Sequence, residues 1–169
     1  MRQGLVFSAA LASVSLAPAK TAAAPAPALT AEVRQALTER VRAFALKVAR
    51  DVTQNGPSAW SRYFQNSPDF FMAVNWQLAF ADGAAASRGI AALPALIKHI
   101  ELSWGQDLRI DPLTADFAVV AASYTEIQEN PAGQRHTERG FFSAVAELSD
   151  GHWLFRDAHW SSITAPAAK

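Results

Sequence analysis

The last third of the chain limits the fold more than any other part. "DFAVVAASYTEIQ" (116–128), "RHTERGFFSAVAEL" (135–148) and "HWLFRDAHWSS" (152–162) are long runs of period-two alternation. They are joined by "NPAG" (130–133) and by Asp150-Gly151. An Asp-Gly pair between two alternating runs marks a two-residue hairpin turn, so these runs are expected to form an antiparallel meander.

Such turns also set registers. The Asp-Gly turn puts Ser149 opposite His152, Leu148 opposite Trp153 and Ala146 opposite Phe155, and an unbroken ladder continues to Ala144 opposite Asp157 and Phe142 opposite His159. A four-residue NPAG loop puts Thr125 opposite Glu138 and Ala121 opposite Phe142. One face then carries Val119, Ala121, Ser123, Phe142, Ala144, Ala146, Trp153, Phe155, Asp157, His159 and Ser161. The other carries Tyr124, Glu126, Arg139, Phe141, Val145, Glu147, Arg156 and Trp160. The first face is apolar and rich in alanine, with one acid and one imidazole near its end, the profile of a small-molecule pocket beneath helices. The second mixes aromatics and charges, as a solvent face or subunit interface does. A single bulge would exchange the two sets.

Upstream, the period is helical. Thr30 reads as an N-cap, and Val33, Leu37, Val41, Phe44, Val48 and Val52 form one stripe that ends at Asn55-Gly56-Pro57. A shorter second helix from near Ser58 carries Trp60, Tyr63 and Phe64 on one face. "FFMAVNWQLAF" (70–80) reads as one half-buried strand, and "ADGAAASRG" as a turn with a short return strand. Ile90, Leu93, Ile97, Ile100 and Trp104 mark a third helix, within which Pro94 deletes a backbone bond. Residues 107–113 form a short strand. Helices followed by hairpins indicate an α+β domain with helices on one face of an antiparallel sheet.

The N-terminus, "MRQGLVFSAALASVSLAPAKTAAAPAPA", has one early cation, an uncharged apolar run and small residues with Ala-x-Ala cleavage options. That is the layout of a secretory signal peptide over residues 1–24. Its apolar run is shorter than the roughly 20 residues a membrane span needs. Residues 25–29 form an Ala/Pro tether, 30–163 the domain and 164–169 a disordered tail. The expected location is periplasmic or secreted, with no membrane span in the mature form. Cleavage removes Arg2 and Lys20, leaving 13 basic residues against 15 acidic ones. No basic surplus exists to neutralise phosphates, so nucleic acid is not an expected partner. With no cysteine, disulfides and thiolate chemistry are excluded.

The order of these pieces resembles the nuclear transport factor 2-like superfamily, in particular its SnoaL-like branch. The resemblance rests on the long first helix, "WSRYF" followed by "PDFF", "SRGI", "ADFAVVAASYTEI", "GFFSAV" and "DGHWLFRDAHWSS", and spans about residues 30–163. It implies a cone-shaped, curved antiparallel sheet wrapped by about three N-terminal helices, an internal hydrophobic pocket, and a homodimer formed through the outer sheet face. In isomerase and cyclase relatives an aspartate on or near the first long strand is the general base. That strand here reads "AVNWQLAF", with Asn75 and Trp76 and no carboxylate. The tyrosine that serves such relatives as oxyanion donor would correspond to Tyr63.

The candidate catalytic residues are His159 and Asp157, with Tyr63. Two apart on one strand face, Asp157 and His159 have Cα atoms ~6.5–7 Å apart; the carboxylate would hold an imidazolium that acts as general acid and base near neutral pH. The alternative is a structural pair satisfying polar groups at a strand end. Trp60, Asn75, Trp76, Phe142, Trp153 and Phe155 are the expected ligand-binding walls. His136 and Glu138 share a strand face as a two-ligand metal fragment without a third ligand, so no metal or cofactor is expected. Three functions follow: an exported domain binding a small apolar organic molecule; a lyase, isomerase or cyclase using His159 with Asp157; and a non-catalytic dimerisation or interaction module.

Overall fold

A computed structural model describes residues 28–162. The expected leader, most of the tether and the C-terminal tail lie outside the described residues. Helix α1 spans Ala31–Asn55 and starts where expected: the Thr30 hydroxyl accepts from the Val33 N–H at 3.3 Å. It stops at Gly56, whose φ of 78° suits glycine and whose N–H closes on the Val52 carbonyl at 2.9 Å. Leu37, Val41, Phe44, Val48 and Val52 are buried, as their spacing requires. The expected second helix is a 3₁₀ helix, Pro57–Arg62, with Tyr63 and Phe64 just beyond it.

Three expectations between residues 70 and 104 need correction. Residues 70–80 are a hairpin, β1 Phe71–Val74 and β2 Gln77–Phe80, because Asn75 and Trp76 both take positive φ (45° and 61°) and form its two-residue turn. The exposed Trp76 and Leu78 continue the even-numbered apolar run of β1 although the turn reverses the facing, so periodicity alone reads straight through it. "ADGAAASRG" belongs to helix α2, Gly83–Ala92, capped by Asp82, whose Oδ1 accepts from the Ala85 N–H at 2.6 Å. Finally, the third helix ends early. Leu93–Ala95 is a 3₁₀ turn around Pro94, and β3 covers His99–Trp104 with Ile100 and Leu102 buried at period two.

The remaining strands are β4 Arg109–Pro112, β5 Phe117–Glu129, β6 Arg135–Ser149 and β7 His152–Ser162. They form one curved, unclosed seven-stranded sheet in the order β2-β1-β7-β6-β5-β3, with β4 also paired to β5. All pairings are antiparallel except β1 with β7. Helix α1 covers the β3 end of the sheet. There the Thr53 hydroxyl accepts from the Leu102 N–H at 2.9 Å, and the Trp104 indole donates to the Ala45 carbonyl at 2.7 Å. These contacts occupy polar groups along an edge strand, which otherwise invites pairing with other chains. At the other side, residues 63–65 run beside β7: the Phe155 N–H donates to the Tyr63 carbonyl at 2.7 Å, and the Gln65 N–H to the Phe155 carbonyl at 2.9 Å.

The expected β6–β7 register is right near its turn and wrong further out, and the expected β5–β6 register is off by one residue throughout. Ser149↔His152, Leu148↔Trp153 and Ala146↔Phe155 pair as the Asp-Gly turn demands. A bulge then intervenes at Val145/Ala146, after which Val145 faces Asp157 and Ala144 faces Ala158. Ala158 and Trp160 therefore turn inward, and Asp157, His159 and Ser161 turn to the outer face. The β5–β6 loop is three residues rather than four. The Asn130 N–H pairs with the Gln134 carbonyl at 3.0 Å around Pro131-Ala132-Gly133, with Gly133 at φ 80°. That shift puts Ala122 opposite Phe142 and Glu126 opposite Glu138. Ala118, Val120, Ala122, Tyr124 and Glu126 are thus the buried positions of β5, not Val119, Ala121 and Ser123.

The bulge explains Asp157. Its Oδ1 accepts from the Val145 N–H at 3.0 Å, supplying a partner where the ladder is interrupted. Asp157→Ala is expected to cost roughly 1–2 kcal/mol by orphaning that donor, while Asp157→Asn keeps a carbonyl acceptor and costs much less. Urea unfolding of both variants measures the difference; equal losses would contradict this role.

Candidate functional site

A cavity of about 310 Å³ opens between the β1–β2 hairpin, α2 with its 3₁₀ extension, and the ends of β5 and β6 nearest their shared loop. Its walls are apolar: Trp60 and Phe64 from the segment after α1, Met72, Val74 and Phe80 from the hairpin, Ile90, Leu93 and Ile97 from the α2 side, Ile100 from β3 and Trp160 from β7. Three polar residues line it, Glu126 and Gln128 on β5 and Glu138 on β6. A concavity of this size with few convergent polar groups has the make-up of a small-molecule site.

Glu126 is the buried charged residue of the core, 9% exposed. It stands directly across the ladder from Glu138, and the Gln128 side-chain amide donates to its Oε1. The Tyr124 hydroxyl donates to Glu138 Oε1 at 2.5 Å. Among the described residues neither carboxylate has a salt-bridge partner. Burial pushes the Glu126 carboxyl above the ordinary glutamate range; the Gln128 amide offsets part of that rise, and the charge on Glu138 adds to it. Burial raises Tyr124 as well, reinforced by its bond to Glu138, so its hydroxyl stays protonated and serves as a donor. A carboxyl held toward neutrality in an apolar cavity, beside a second carboxylate and a phenol, can hold a donor group of a ligand or exchange a proton with it. Among the described residues no three His, Asp or Glu side chains converge as metal ligands would.

The raised Glu126 carboxyl has a consequence for stability. A group whose pKa is higher in the folded than in the unfolded state binds its proton more tightly when folded. Its stabilisation is present at low pH and lost as pH rises through the folded value. Glu126→Gln removes that loss. The variant is expected to be more stable than the parent at about pH 8, by on the order of 1 kcal/mol, and to lose the advantage near about pH 4. Denaturant unfolding at the two pH values tests this, and an advantage that is equal or larger at the acidic value would refute it.

The structure separates the residues expected to form one site. Trp60 lines the cavity. Phe142 and Phe155 are fully buried in the core behind it. Asn75 clamps the hairpin to β7, donating to the Ser162 hydroxyl at 2.8 Å and accepting from the Ser162 N–H at 2.7 Å. Trp76, at the hairpin tip, is 91% exposed. Tyr63 and Trp153 line a separate groove beside α1, where the Tyr63 hydroxyl donates to Asp51 Oδ2 at 2.6 Å. Burial and that bond push the Tyr63 hydroxyl up to about 12. His159 is exposed on the outer face and Asp157 holds the bulge, so this pair is not the polar floor of the interior. The residues missed are Glu126, Gln128, Glu138, Tyr124 and Trp160. Reading Gly133 as the left-handed residue of a three-residue hairpin loop would have recovered the four on β5 and β6; the bulge that turns Trp160 inward leaves no comparable mark.

No protein-family model matches the chain, and no curated protein matches its sequence. Solved structures do. A candidate scytalone dehydratase from Novosphingobium aromaticivorans superposes with a TM-score of 0.69 at 12% identity, over 80% of this chain and 89% of that one. A nuclear transport factor 2-like superfamily protein from Salmonella enterica gives 0.61 at 15% identity, over 82% and 96%. A ketosteroid isomerase-like protein from Erwinia carotovora gives 0.58 at 13%, over 74% and 95%. At these identities the likeness is one of architecture, and the long helix, the hairpin before α2 and the curved meander together are the nuclear transport factor 2-like fold.

Proposed function

We propose that the chain is an exported SnoaL-like domain whose interior cavity binds a small, mostly apolar organic molecule through one hydrogen-bond donor or cationic group. The observation that carries this is Glu126, a buried carboxyl in a mostly apolar cavity, with Glu138 opposite and no salt-bridge partner for either among the described residues. Two acids in one site leave negative charge for a ligand donor to meet. A second reading, proton transfer of the lyase or isomerase kind, is favoured by the raised Glu126 carboxyl and by the dehydratase-like and isomerase-like neighbours. It places the acid–base group on Glu126 rather than on His159. The outer sheet face, with Phe71, Leu78 and Phe141 exposed, supports the homodimer.

Native mass spectrometry of protein purified from its own host tests the binding reading. The expected result is a co-purified small molecule that is lost from Glu126→Ala and retained by His159→Ala. If the protein arrives empty, 2-phenylethylamine is expected to move the Trp60 and Trp160 indole N–H signals. A ligand that survives Glu126→Ala, or an empty protein whose indoles ignore the amine, would overturn the reading.

A further inference from the structure

A second concavity, about 740 Å³ and distinct from the interior cavity, lies between the C-terminal half of α1 and the β6–β7 turn. Its apolar side is formed by Phe44, Trp153 and Leu154. Its charged side is formed by Lys47 and Arg50, one turn apart on α1, and by Arg62. Asp51 is the one carboxylate in this lining, and it is already committed: Arg62 holds both its oxygens, at 3.0 and 2.8 Å, and Tyr63 donates to it at 2.6 Å. Lys47 and Arg50 have no carboxylate partner among the described residues. The groove therefore keeps about two uncompensated positive charges, in a chain with no basic surplus overall. Trp153 is half-buried: it packs against the core and also lines the groove.

We propose that this groove is a binding site for an organic carboxylate with a flat apolar body. The body packs on Trp153 and Phe44, and the carboxylate meets Lys47 and Arg50. Guanidinium recognises carboxylate with paired, charge-assisted hydrogen bonds, and aromatic walls prefer a planar partner. The groove needs nothing from the cavity residues Glu126 and Glu138, so this inference and the proposed function stand or fall separately.

The test is titration with 2-naphthoate and with the neutral 2-naphthalenemethanol, followed by the indole N–H signals of the five tryptophans. Trp153→Phe assigns the groove signal, while Trp60 and Trp160 report on the interior cavity. Naphthoate is expected to move the Trp153 signal. Its affinity should fall at least about tenfold in the Lys47→Ala/Arg50→Ala double variant and be unchanged in Glu126→Gln, with the neutral analogue at least about tenfold weaker. Both substituted groove residues are exposed on a helix, so folding is preserved, and an unchanged melting temperature checks that. Equal affinity in the double variant, equal affinity for the alcohol, a response confined to Trp60 and Trp160, or no response up to about 10 mM naphthoate would each overturn the proposal.

Discussion

Replacing Phe155 with alanine is expected to cost roughly 3–5 kcal/mol, the range for removing a large buried aromatic, and to lower the melting temperature by roughly 10–25 °C. The side chain is fully buried and touches three other rings, with centroids 4.9 Å from Phe44, 5.3 Å from Phe142 and 6.1 Å from Phe64. What raises the cost toward the upper end is the backbone. Phe155 is tied on both sides, to the Tyr63 carbonyl and the Gln65 N–H, and to β6 through its pairing with Ala146. The strand cannot move in to fill the void, so the lost dispersion contacts are not recovered. Phe155→Leu keeps most of the volume and is expected to lose far less. A loss below about 1 kcal/mol for the alanine variant, measured by denaturant unfolding, would mean that this aromatic cluster is not the centre of the core.

Trp160→Ala is expected to be of similar scale, roughly 3–5 kcal/mol, but with a second effect that Phe155→Ala lacks. The Trp160 ring packs against Phe142 at 4.5 Å, Tyr124 at 4.7 Å and Trp60 at 5.6 Å between centroids, and it also lines the cavity. Its removal merges the new void with the existing one and frees the ring of Tyr124, whose hydroxyl holds Glu138. The variant should therefore bind 2-phenylethylamine less well while accepting a bulkier amine such as 2-(2-naphthyl)ethylamine better. Melting curves give the first effect and paired titrations the second. Parallel weakening for both amines would show that Trp160 supports the core without shaping the cavity.

Much of this molecule is legible from local chemistry. Thr30 and Gly56 bound α1 because one supplies a side-chain acceptor and the other tolerates positive φ. Asp150-Gly151 makes its turn for the same reason, with both residues at positive φ. The alternation of β5, β6 and β7 calls for a meander, and helices followed by hairpins call for an α+β fold. The errors in strand facing share one source. Periodicity records that side chains alternate but carries no mark of a turn or bulge that preserves or flips the alternation. Asn75-Trp76 is such a turn, and the break at Val145/Ala146 is such a bulge.

That ambiguity matters most for the site. A one-residue shift leaves every strand intact and reverses which side chains face the interior. By itself, then, the sequence determined α1, the long strands of the meander and the register next to Asp150-Gly151. The tertiary structure decided the facing. Burying Phe142, Phe155 and Trp160 together requires the bulge, and the bulge sends Asp157 and His159 outward. Pairing Asn130 with Gln134 brings Glu126 and Glu138 inward to the same cavity. These choices rest on contacts between residues far apart in the chain, whose burial outweighs the small local cost of one interrupted ladder step.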